Sequence, residues 1–250
     1  MNTIKSLQQS RRVFLQSAAA ATIGVMGVLP LLVRAASDAP KTLKIGIVGS
    51  GRIGGTLGEL WVKAGHQVMF SSLDIEHDKA LAARVGSGSR AGTPKEAAAF
   101  GDVVLISVPY AALPQLGRDL GDLIKGKVVL DTCNPIPTRD GDMAVEAKAK
   151  GTGVASPQFL PGARLVRAFN SVGYARLQSE AHRAGERVAI PLAADDAVAL
   201  QTAVRLVQDA GFEPVVVGPL ARAKEFDTGM PVYGKALTAA ELRRGLGLNP

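Results

Sequence analysis

The chain has one cysteine, three histidines, one tryptophan and 4% aromatic residues. A lone Cys133 has no partner for an internal disulfide, so the fold must rest on its core. His66, His77 and His182 are scattered, and no Cys/His cluster has metal-ligand spacing; no metal site is expected. So few aromatics leave few stacking platforms for single-stranded nucleic acid. Signatures of acid/base chemistry are also missing. Tyr110, Tyr174 and Tyr233 all lack a lysine four residues later, which argues against carbonyl reduction through a Tyr-x-x-x-Lys pair. No Ser-His-Asp arrangement is defensible by spacing, so no catalytic acid, base or nucleophile is assigned.

Acidic residues are absent from the first 36 positions, which hold Lys5, Arg11, Arg12 and Arg34. Arg11-Arg12 precede an uncharged run, Val13–Val33, and Val33-Arg34-Ala35 places small residues where a signal peptidase reads. That pattern is a secretory leader, and the arginine pair resembles the Tat signature for export of folded proteins. The expected location is therefore periplasmic, with no stable membrane insertion after cleavage. An uncleaved anchor is the alternative, although Pro30 and the Ala/Gly content weaken the run as a span. Without the leader, 25 basic residues face 22 acidic ones, about +3, which speaks for solubility and not for nucleic-acid binding.

From Leu43 onward, short apolar runs alternate with helical patterns. Leu43–Val48, Gln67–Phe70, Asp102–Val108 and Lys127–Leu130 read as strands. Arg52–Ala64, Asp74–Val85 and Ala111–Ile124 read as helices, and Thr93-Pro94-Lys-Glu96 starts another. Arg164–Phe169, Arg187–Leu192 and Glu213–Val217 continue as strands, with helices over Asp195–Ala210 and Pro219–Phe226 and a capping box at Thr238–Glu241. The stretch Thr138–Gly162 is the least readable. This alternation predicts an α/β fold, a Rossmann-type doubly wound parallel sheet over 41–163, followed by a small C-terminal α/β domain over 164–250.

Gly49-Ser50-Gly51-Arg52-Ile53-Gly54 follows the first strand and opens the first helix, the context a dinucleotide fingerprint needs. Gly49 permits the turn, Gly51 lets backbone approach a pyrophosphate, and Gly54 lets the helix pack on the strand. At the end of the second strand, where NAD proteins place an acidic residue, stand Ser71 and Ser72. Two hydroxyls, with Lys79 or Arg52 as counter-charge, suit a 2′-phosphate and favour NADP; the alternative is that Asp74 turns in and binds NAD. The turns Ser107-Val108-Pro109-Tyr110 and Asn134-Pro135 should line the cofactor at the carboxyl ends of their strands. Cys133 reads as a small buried filler.

Gly49–Gly54, Ser71-Ser72, Val103–Tyr110, Asn134-Pro135, Ala168-Phe-Asn170-Ser and Val217-Gly-Pro-Leu-Ala-Arg-Ala-Lys224 together resemble the NADPH-dependent reductases of the deazaflavin coenzyme F-420. The reductase domain of the six-transmembrane metalloreductases is similar. The resemblance runs from about Leu43 to Phe226. It implies pyrophosphate binding at Gly49–Ile53, 2′-phosphate binding at Ser71, Ser72 and Lys79, and nicotinamide contacts at Val108, Pro109, Asn134 and Asn170. It implies direct hydride transfer between NADP(H) and a deazaflavin, flavin or flavin-linked acceptor. Leu73 and Lys224 depart from arginines common in the family, and the leader and the tail from Thr228 are additions. A non-enzymatic NADP-binding or sensor protein on the same fold is the alternative. A 3-hydroxyacid or imine reductase is a weaker one, since too few residues follow Gly162 for the long helical domain it needs. A homodimer is compatible with the sequence.

Overall fold

The computed structural model describes residues 42–249. The expected leader falls outside them. Apolar runs of four or five residues become buried strands, and helical patterns become the crossovers between them. In order these are β1 (Lys44–Val48), α1 (Arg52–Lys63), β2 (Gln67–Ser71), α2 (Ile75–Val85), β3 (Ser89–Ala91), α3 (Pro94–Phe100), β4 (Val103–Ile106), α4 (Leu113–Ile124) and β5 (Val128–Asp131). All five strands pair in parallel, in the order β3-β2-β1-β4-β5, and the order reverses between β1 and β4. β4 and β5 are buried at every residue. β3 was not anticipated. Ser89-Arg90-Ala91 carries no apolar run, and its pairing to Val68–Phe70 makes it a strand.

The unreadable stretch holds three short helices, α5 (Pro137–Asp140), α6 (Asp142–Lys150) and α7 (Thr152–Ala155). Two of these have four residues, too few to display a period. The chain then forms β6 (Arg164–Arg167), α8 (Tyr174–Ser179), β7 (Ala189–Ala194), α9 (Ala197–Asp209), β8 (Glu213–Gly218) and α10 (Ala239–Gly245). β6 adds in parallel to β5, and β7 and β8 extend the same eight-stranded sheet. The expected boundary at 163/164 is therefore not a break. The residues after 163 are α/β as expected, but they share the sheet, and the described residues form one compact unit.

β7 runs antiparallel to β6, whereas the strands before it all pair in parallel. The link between them explains why. Its helix, α8, has six residues and stays at the carboxyl end of the strands, where Tyr174 lies 4.9 Å under the Arg52 guanidinium. The chain never crosses back, so it enters β7 from the end at which it left β6. On one face of the sheet α1 and α9 are tied together: Trp61 Nε1 donates to the Leu206 carbonyl at 2.8 Å, and its ring meets Phe169 edge-on. On the other, Leu113, Leu120 and Ile124 of α4 pack with Val104, Ile106 and Val129.

Beneath the carboxyl ends of β5 and β6 lies a fully buried guanidinium, Arg167. It pairs with Asp131 at 2.9 Å and Asp227 at 3.4 Å, and donates to the carbonyls of Asp131 and Cys133. Asp227 in turn accepts from the amide and hydroxyl of Thr152, which ties in α7. Burial works against the charged guanidinium, but the two carboxylates outweigh it and hold its pKa above the ordinary value. Removing one partner of such a cluster leaves buried charge uncompensated. Arg167→Met is expected to lower the unfolding free energy by about 3–5 kcal/mol. Urea denaturation at neutral pH reads this, and a loss below about 1 kcal/mol would show that the two carboxylates do not depend on Arg167.

Candidate functional site

Three glycines join β1 to α1, and they differ in what surrounds them. Gly49 has φ +100°, and a Cβ there would stand 2.2 Å from the Ser107 carbonyl oxygen. A Cβ on Gly54 would stand 2.1 Å from the Gly49 carbonyl oxygen. Both are glycine because the protein leaves no room. Gly51 is otherwise: its φ is −65°, and no atom lies within 4 Å of where its Cβ would be. Nothing in the chain requires glycine there. The open space fits close approach of a ligand to the backbone. α1 also starts with no side-chain cap, so its first N–H groups face that space unpaired.

The turn opens onto a cleft of about 250 Å³ at the topological switch point, the usual ligand position in open α/β sheets. The cleft brings together Gly51, Arg52, Ile53, Ser107, Val108, Pro109 and Asn134 from the residues expected by sequence, and adds Thr132, Ile136 and Arg139. Pro135 is buried behind it. Asn170 lies beneath Asn134: its carbonyl accepts from Asn134 Nδ2 at 2.8 Å, while its own buried Oδ1 has no partner. Asn134 Nδ2 also reaches the Tyr233 hydroxyl at 3.3 Å, so the tail after β8 returns to this end of the sheet.

Asp140, unforeseen in the sequence, clamps the cleft. Its buried carboxylate accepts from the amides of Ile136 at 2.9 Å and Ala111 at 3.3 Å, stitching the turn after β5 to the one after β4. Burial alone would raise its pKa, but the Arg139 hydrogen bonds and the two amides hold it below the ordinary value. Cys133 is buried, and burial pushes its thiol well up.

At the 2′ end two of the expected residues are engaged elsewhere, and the alternative acid does not turn in. Ser71 is fully buried and spends its hydroxyl on the Ile47 carbonyl at 2.6 Å, so it does not reach a ligand. Lys79 pairs with Glu76 on the exposed face of α2. Asp74 caps α2, accepting from Glu76 and His77 amides, and does not turn in. The acid beside Ser72 is Asp78, fully buried, whose carboxylate accepts hydrogen bonds from the Ser50 and Ser72 hydroxyls. A hollow beside Gly51 is lined by Ser50, Arg52, His77 and Arg84. Helical wheel patterning marks His77 as a solvated residue and hides Asp78, since both lie in the first two turns of a capped helix. Next to the fully exposed Leu73 lies a larger apolar hollow of about 480 Å³, between α3 and α4 and walled by Pro94, Ala112, Leu116 and Leu120.

A family model described as NADP oxidoreductase, coenzyme F420-dependent, matches residues 44–135. Among solved structures, the chain is similar to a hypothetical protein from Sinorhizobium meliloti (25% identity, TM-score 0.66, covering 79% of this chain and 95% of that one). It is similar to a protein from Arthrobacter sp. FB24 proposed to be an F420-dependent NADP reductase (18% identity, TM-score 0.59, covering 73% and 87%). It also shares the fold of 3-hydroxyisobutyrate dehydrogenase from Mycobacterium tuberculosis (19% identity, TM-score 0.54), but spans only 57% of that chain. The family match thus covers β1 through the turn after β5, and the second half is related by fold.

The contrast among the glycines makes a prediction. Gly51→Ala should leave thermal stability within about 1 kcal/mol of wild type, since it meets no atom and loses unfolded-state entropy. It should weaken dinucleotide binding by about tenfold or more, read by titration calorimetry. Gly54→Ala should cost about 1–3 kcal/mol from overpacking. Equal binding by wild type and Gly51→Ala would remove the ligand explanation for that glycine. Asp140→Ala should free both turns and weaken binding more than it lowers the melting temperature, with Asp140→Asn recovering part of the loss. Because folding holds this carboxyl below its usual value, the clamp's contribution is complete above that value and lost as pH falls through the lowered one.

Proposed function

We propose that the chain is an NADP(H)-dependent oxidoreductase that passes hydride between the nicotinamide and a deazaflavin, flavin or flavin-linked acceptor. The observation that carries this reading is Gly51: a glycine that the protein does not need, at an uncapped helix start, facing a cleft at the switch point. The family match over 44–135 and the extensive coverage of the two shorter neighbours support it.

The bound dinucleotide supplies or accepts the hydride. The chain's own residues bind and orient. The amides at the start of α1 hold the pyrophosphate, and Arg52 adds charge beside them. The apolar hollow at Leu73 and Leu116 takes the adenine, which covers an otherwise exposed leucine. Asn134, fixed by the Asn170 carbonyl, sets the nicotinamide end, with Val108 and Pro109 along one side. Direct transfer between two rings needs alignment and exclusion of water more than a proton donor. The proposed export as a folded chain would let the protein leave with its nucleotide bound, so the acceptor would be met outside the cytoplasm.

Purified protein mixed with NADPH and a panel of deazaflavin and flavin acceptors should show acceptor-dependent loss of the reduced-nicotinamide absorbance. NADPH binding without turnover on any acceptor would contradict the oxidoreductase reading and support a nucleotide-binding or sensor protein.

A further inference from the structure

We propose that Asp78 determines how the chain discriminates between the two nicotinamide dinucleotides, and that it makes the site accept NAD(H) alongside NADP(H). The inference rests on the oxidoreductase reading for the placement of the adenosine ribose, which in this fold lies beside the end of the second strand. Ser72 directly follows that strand, and Ser50 belongs to the glycine turn facing it. The Asp78 carboxylate sits between them, fully buried. It accepts one hydroxyl from each, Ser50 on Oδ1 and Ser72 on Oδ2 at 2.8 Å. A buried carboxylate ordinarily has a cation beside it. Among the described residues no ion pair joins Asp78 to one.

Each serine hydroxyl has one proton to give. Both are spent on Asp78 or on the chain beside it, since Ser72 also accepts from the Asp74 amide and lies within 3.1 Å of the Asp74 carbonyl. Toward the ribose the partly exposed Ser72 hydroxyl therefore presents its lone pairs, while Ser50 is buried. A 2′-hydroxyl can donate to them. A 2′-phosphate offers only acceptors and brings negative charge toward a buried negative charge. The cations nearby do not fully offset this. Arg84 is paired with Glu59, Lys79 with Glu76, and Arg52 stacks on Tyr174, although Arg52 and His77 do line the adjoining hollow. Of the two serines that look, in sequence, like a phosphate clamp, Ser71 is turned inward and Ser72 is turned by one carboxylate into a site that tolerates either ribose.

Calorimetric titration of the full-length chain with NADP⁺ and NAD⁺ separately tests this. The two dissociation constants should lie within about tenfold of each other. Asp78→Asn keeps the shape, removes the charge and supplies a donor. It should tighten NADP⁺ by about tenfold or more while leaving NAD⁺ within about threefold. Asp78→Ala, which frees both hydroxyls, should shift the ratio in the same direction, with a cooperative melt confirming that each variant is folded. A wild-type preference for NADP⁺ beyond tenfold, or a ratio unchanged in the folded variants, would overturn the proposal and leave the oxidoreductase reading standing. Failure of the wild type to bind either nucleotide would overturn both.

Discussion

The buried Arg167 guanidinium is the contact on which the geometry of the cleft depends. It reaches the side chain and carbonyl of Asp131, the carbonyl of Cys133, and Asp227 from beyond β8. Asn134 stands on the turn that Arg167 holds, and Thr152 is held to the same cluster through Asp227. A hydrophobic residue at this position would pack, but it would not bind two backbone carbonyls and two carboxylates at once. Such clusters contribute less to net stability than their close contacts suggest, because desolvation offsets much of the attraction. What this one supplies is placement: the ends of β5 and β6, the tail and α7 meet at a single charged centre. It also explains why residues 164–250 do not separate as a domain, since the cluster bridges the expected boundary.

Around that centre, division of labour between backbone and side chains is clear. Gly49 and Gly54 serve the fold, and Gly51 serves the open space in front of it. Asp140 holds two turns together without lining the cleft itself. The residues that face the cleft are half glycine or apolar and half polar, the polar ones being Arg52, Ser107, Thr132, Asn134 and Arg139. A lining that mixes apolar side chains with a few convergent polar groups is usual for a cofactor pocket.

Much of this was legible in the sequence because it is written in local patterns. β1, β2, β4 and β5 announce themselves as short apolar runs, the helix starts at Thr93 and Thr238 form the capping boxes their spacing implies, and the glycine turn lies where the fingerprint requires. What was not legible depends on tertiary direction. Nothing local says that the Ser71 hydroxyl turns inward to Ile47, or that Asp78 and not Asp74 is the carboxylate beside Ser72. β7 reverses because α8 is short and stays at one end of the sheet, a consequence of length that periodicity does not carry. Arg139 and Asp140 were hidden in a stretch whose helices are too brief to read.

The central claim is that the start of α1 is an anion-binding site made of backbone. Amide NMR of the isotopically labelled full-length chain, titrated with NADP⁺, tests it most directly. The largest shifts are expected at the N–H groups of Gly51, Arg52 and Ile53, with a second group at Val108 and Asn134. Shifts centred elsewhere on the chain, with Gly51–Ile53 unmoved at saturation, would contradict it.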